Sequence, residues 1–108
     1  MFTINGEEWA VYLVSPTHPK LYSENGLLSI GSCDDDMKAI YINDTLDDKM
    51  MWKVLCHEIT HAAMFSYNVF LTEDQEELLA DLLATYGSEI ITTTNRVFAK
   101  LRAFSSNK

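Results

Sequence analysis

Cysteine is scarce, at positions 33 and 56 alone, so no disulfide framework staples the chain, and a reducing compartment would leave both as thiols. Two such residues are expected to be small buried apolar side chains. Long apolar runs are absent as well. Residues 9–14 form one of the longest, less than a third of the roughly 20 residues needed to cross a bilayer, so no membrane association is expected. Basic residues number eight against sixteen acidic ones, giving a formal charge of −8. That shortage excludes a general nucleic-acid binder, which needs a basic stripe to neutralise phosphates. Half of the basic residues, Arg96, Lys100, Arg102 and Lys108, lie near the end, an asymmetry that a solvated helix face explains. Residues 1–8 lack the basic region, apolar stretch and cleavage site of a secretory signal, so a cytoplasmic protein is expected. Repeats, low-complexity tracts and linkers are missing too. At 108 residues and 47% hydrophobic content, the chain suits a single domain over residues 1–108.

What is present divides near residue 44. Turn formers and short β-prone runs dominate the first part, and residues 2–4, 9–14, 27–33 and 38–43 read as strands. Pro16, Pro19 and the segment Ser23-Glu24-Asn25-Gly26 mark turns, and Asp34-Asp35-Asp36 suits a hairpin tip. From Thr45 onward, Met50, Met51, Val54, Leu55, Ile59, Ala62 and Ala63 recur at helical spacing, which predicts a helix over about 46–67. Thr45 is its expected N-cap, with Asp48 in the first turn and Tyr67 and Asn68 as terminators. A second helix opens at Thr72, where Thr72-Glu73-Asp74-Gln75 matches a capping box and acids crowd the positive end of the dipole. Gly87 and the β-branched Thr92-Thr93-Thr94 leave open whether it continues as one helix or breaks into two. The expected fold class is α+β: a small, mostly antiparallel sheet packed on the first helix and on a long C-terminal helix.

The middle of the first helix reads His57-Glu58-Ile59-Thr60-His61, an HExxH motif. Residues four apart lie one turn above each other, so His57 and His61 can offer imidazole nitrogens to one cation. Zinc held by two neutral histidines and one further ligand keeps a position for water and lowers its pKa to about 7. Glu58 beside that water can take its proton and pass it to a leaving amine. Two of the chain's three histidines fall in this motif, which is mid-helix and followed by a carboxylate-rich helix. Those facts weigh against a chance pair on an ordinary amphipathic helix.

No histidine follows His61, and His18 sits in a Pro-flanked loop as an ordinary loop residue, so the third ligand is expected to be a carboxylate. Glu77 and Asp81 are four apart and share a helix face, with Leu78, Leu79, Leu82 and Leu83 left for the core. Glu77 is the expected metal ligand, with Glu76 as its rival. Asp81 is expected to accept from the other ring nitrogen of His57, fixing its tautomer, since a charge within that apolar run is otherwise expensive.

HExxH followed by Glu77-Leu78-Leu79-Ala80-Asp81 resembles the gluzincin metallopeptidases, and the short length is similar to minimal zincin-like proteins of phages and prophages and to the ImmA/IrrE group. The resemblance covers about residues 38–91. It implies a zincin-like fold, Zn2+ as cofactor, Glu58 as general base, and a peptide or protein substrate. If the chain is phage-encoded, it implies the host cytoplasm. It also implies that the strand before the metal helix, Ile40, Tyr41 and Ile42 included, forms the cleft edge that pairs with an extended substrate. Met64 and Tyr67 stand where a metzincin has its glycine and third histidine, so that class is disfavoured. The oxyanion-holding histidine and tyrosine of thermolysin-type enzymes have no match by motif; Tyr41, Tyr67, Tyr86 and Arg96 are the substitutes available.

Three functions compete on this reading. A zinc peptidase leads. A non-catalytic binding module on the same scaffold, such as a phage protein engaging a host partner or repressor, is the alternative that small size favours. A closed structural zinc site is disfavoured, because such sites usually take four protein ligands and Cys56 points about 100° away from its neighbour His57.

Overall fold

The computed structural model describes residues 1–23 and 26–106; the turn expected at Glu24 and Asn25 lies outside them, as does Lys108. Two strands open the chain, β1 (Phe2–Ile4) and β2 (Glu7–Val14), joined by Asn5-Gly6 with φ of 50° and 77°. An Asn-Gly pair tolerates positive φ at both positions, and the resulting turn twist matches that of the paired strands. Strands β3 (Gly31–Asp34) and β4 (Ala39–Asn43) follow, linked by a turn in which Lys38 takes φ 51°. Asp34-Asp35-Asp36 therefore does lead into a hairpin. Residues 27–30, expected to be part of the third strand, are not in one: only an isolated Tyr22–Leu28 bridge forms there.

Strand order is β1-β2-β4-β3, with antiparallel outer pairs and a parallel pair of β2 and β4 at the centre. The sheet is thus mixed, with more antiparallel than parallel pairing. The parallel pair follows from the long connection of residues 15–30, which returns the chain to the same end of the sheet before the hairpin reverses it.

Helix α1 (Asp48–Ser66) crosses one face of the sheet. Its N-cap is Asp47, whose side chain accepts from Met50 N; Thr45 is instead tied to the Asn43 side chain, which accepts from both its N–H and its hydroxyl. The shift of two residues reflects local competition between Asx-turn and cap bonds. Tyr67 caps the far end and Asn68 takes φ 53°, the left-handed conformation that stops a helix. Between sheet and helix lies the core of Trp9, Ile40, Ile42, Val54 and Ala62. Trp9 is fully buried, and its indole N–H donates to Ser66 Oγ at 3.0 Å, while Asn5 Nδ2 donates to Ser66 O at 2.9 Å. Those two bonds pin the β1–β2 hairpin to the end of α1.

Helix α2 (Glu73–Leu82) begins with the expected capping box, Thr72 and Gln75 bonding reciprocally. It does not break at Gly87: residues 83–87 form a π-helical turn that runs directly into α3 (Ser88–Ser106). Widening the helix by one residue there rotates everything beyond it, which marks such turns as places where a face is re-aimed. Helix α2 packs on α1, whereas α3 meets the π turn and projects, drawing the molecule out to 61 Å along one axis against 31 and 27 Å. Among the described residues, no helix is long and apolar enough to cross a membrane.

Candidate metal centre

His57 and His61 lie one turn apart on α1, their rings tilted by 58° with centroids 4.9 Å apart, and their Nε2 atoms face each other at 3.2 Å. Helix α2, held at this height by its capping box and its packing on α1, brings Glu77 over the pair. Its carboxylate reaches His57 Nε2 at 3.2 Å and His61 Nε2 at 3.0 Å. The outer nitrogens are engaged as well. Asp81 Oδ1 lies 3.0 Å from His57 Nδ1, and Glu76 Oε1 lies 2.6 Å from His61 Nδ1. With a metal bound, each Nδ1–H donates to its carboxylate, and both Nε2 lone pairs are left pointing at one spot beside a third anionic donor. One ligand atom each from His57, His61 and Glu77 fall within 4.8 Å of one another. Two imidazoles and a carboxylate with tautomers set from behind fit a zinc ion, and they leave a position open. A metal can be held by these three residues.

Glu58 is turned inward from the pair, 7% exposed, and lines the same cleft of about 520 Å³ as His57, His61, Glu77 and Asp81. Burial pushes its carboxyl above the usual carboxylate range, against the opposing pull of His57 and His61. Opposite lies the start of β3. Gly31 comes so close to α1 that a Cβ there would sit 2.6 Å from Val54 Cγ1 and 3.2 Å from Glu58 Oε2. Glycine is therefore what lets the strand form the cleft wall. Sequence reasoning passed over Gly31, although a glycine within a β-prone run is itself a sign of close backbone approach.

It also passed over Lys53. This residue is one turn before His57 on the same helix face and contributes the cleft's cationic side chain among the described residues. Spacing of four from His57 was the available signal. Tyr41, Tyr67, Tyr86 and Arg96 do not line the cleft. Tyr41 alternates with the core residues Ile40 and Ile42, and so stacks with Tyr12 and His18 on the face of the sheet away from α1.

One expectation is overturned. Ile40, Tyr41 and Ile42 cannot offer an edge to a substrate, because β4 is paired on both sides, with β2 and with β3. The hairpin after residue 34 folds β3 outward past β4, so the edge next to the metal helix is β3.

A mixed sheet backed by a helix carrying HExxH, with a glutamate from the next helix meeting both histidines, is the arrangement of a zincin-like domain. The chain belongs to the peptidase M78 family, the IrrE N-terminal-like domain, whose sequence model matches residues 17–98. That membership sets a metallopeptidase-like function at the level of the family, and with it a peptide or protein substrate class. No curated protein and no solved structure matches the chain.

Proposed function

We propose that the chain is a zinc-dependent peptidase in which His57, His61 and Glu77 hold the metal and Glu58 is the general base. The convergence of both Nε2 atoms and the Glu77 carboxylate, with Asp81 and Glu76 on the outer nitrogens, carries this reading. Zinc held there supplies a Lewis acid that polarises a scissile carbonyl and acidifies water. Glu58 accepts the proton of the attacking water at its carboxylate and delivers it to the leaving amine, and its burial suits a base that must give the proton back. Asp81 and Glu76 keep His57 and His61 in the tautomer and orientation that binding requires. An extended peptide lies along the outer edge of β3, entering the cleft past Ser29, Ile30 and Gly31. The two unpaired cysteines suit a reducing compartment, so we assign the activity to the cytoplasm.

The test is Glu58→Gln. This variant should bind zinc as the wild type does and lose hydrolysis of a mixed peptide library by at least about a hundredfold, the usual contribution of a positioned general base. Turnover equal to the wild type would overturn the mechanism. Stoichiometric zinc with no cleavage by the wild type would leave the scaffold as a binding module.

A further inference from the structure

Helix α3 shows an apolar face that nothing among the described residues covers. Ile90, Ile91, Val97, Phe98 and Leu101 are 49–63% exposed. They are not scattered. Ile90, Thr94, Val97 and Leu101 follow one another at spacings of four, three and four, the seam of a helix that packs against another of the same pitch. Ile91 and Phe98 flank the seam on one side, seven residues apart.

Charge selects the occupant. Residues 88–108 carry four basic groups, Arg96, Lys100, Arg102 and Lys108, against the single acid Glu89. Residues 1–87 carry fifteen acidic groups and four basic ones. A basic helix attached to an acidic body is complementary to a copy of itself, provided the two helices run in opposite directions. Parallel pairing would crowd both acidic bodies at one end. Antiparallel pairing separates them along a helix of about 28 Å and turns each basic tip toward the other body.

We propose that α3 pairs antiparallel with α3 of a second copy, forming a two-fold dimer with the metal centres at opposite ends. The register follows from the side chains. Ile90 faces the second copy's Leu101, the small Thr94 faces Val97, and Ile91 meets Phe98 along the flank. Each of these contacts occurs twice about the axis, as an isologous interface requires. On the other flank Glu89 lies beside Lys100 of the second copy. None of these α3 residues lines the metal cleft, so the dimer forms without disturbing it.

The experiment is the mass of the full chain by sedimentation equilibrium, from about 1 to 100 μM, with and without zinc. Twice the chain mass of 12.3 kDa is expected. Leu101→Glu, a change at an exposed helix position, should give the single-chain mass with helical circular dichroism retained. Glu89→Lys should weaken the dimer, and Glu89→Lys combined with Lys100→Glu should restore it. A monomer across the whole range, or a dimer untouched by Leu101→Glu, overturns self-pairing. A dimer indifferent to Glu89→Lys overturns the antiparallel arrangement. None of these readings depends on metal or peptidase activity, so they stand or fall apart from the catalytic assignment.

Discussion

Removing Glu76 and removing Glu77 should damage the metal centre by different amounts, although the two residues are neighbours. Glu77 places its oxygens 3.0 and 3.2 Å from the two Nε2 atoms, where a metal ligand belongs. Structural zinc sites with four donors have apparent binding energies of about 10–16 kcal/mol. Shared evenly, one donor contributes about 2.5–4 kcal/mol, so Glu77→Ala should weaken zinc by about two to three decades. Glu76 instead meets the outer nitrogen of His61, at 2.6 Å. Loss of such an orienting partner usually costs about 10- to 100-fold, or about 1.4–2.8 kcal/mol. Glu76→Gln keeps an acceptor and loses the charge, and should fall between Glu76→Ala and the wild type. The assay is competition for zinc against a chromophoric chelator, with protein purified without added metal. A larger loss in Glu76→Ala than in Glu77→Ala would refute the assignment and make Glu76 the ligand.

Gly31→Ala should lower stability by about 1–3 kcal/mol, the usual range for overpacking, because its Cβ would meet Val54 Cγ1 at 2.6 Å; an unchanged urea midpoint would show that β3 stands off α1. Burial, then the nearby Glu58 carboxylate, pushes the Cys33 thiol up to about 12 from an ordinary 9.0. Because the folded value is the higher one, the stability it reflects is complete below pH 9 and is lost as pH rises toward 12. Cys33→Ala should flatten the alkaline limb of a stability–pH curve, and an identical limb in the variant would remove Cys33 as its cause. In the folded protein, iodoacetamide should label Cys33 far more slowly than in urea at the same pH.

Periodicity and local chemistry make much of this protein legible in the chain itself. HExxH needs no tertiary information, since helical geometry alone brings His57 and His61 to one face. The Thr72 capping box and the Glu77–Asp81 spacing are equally local, as is the end of α1 at Tyr67 and Asn68. Boundaries are less readable where short-range bonds compete, as when Asn43 takes Thr45 and leaves Asp47 to cap α1.

What the residues by themselves determined was therefore the class of the fold, the helix that carries HExxH, and the set of carboxylates available to it. Only the tertiary structure decided which carboxylate meets which nitrogen, because Glu76 and Glu77 differ by 100° on their helix and the packing of α2 on α1 selects between them. The same holds for the sheet. Strand order depends on long-range pairing with no local signature, so the β-prone run at Ile40–Ile42 gave no hint that β3 would close its free side. Close approach is likewise a property of two elements together: a glycine in a β-prone run signals that something comes near, and only the fold shows that at Gly31 it is Val54 and Glu58 of α1.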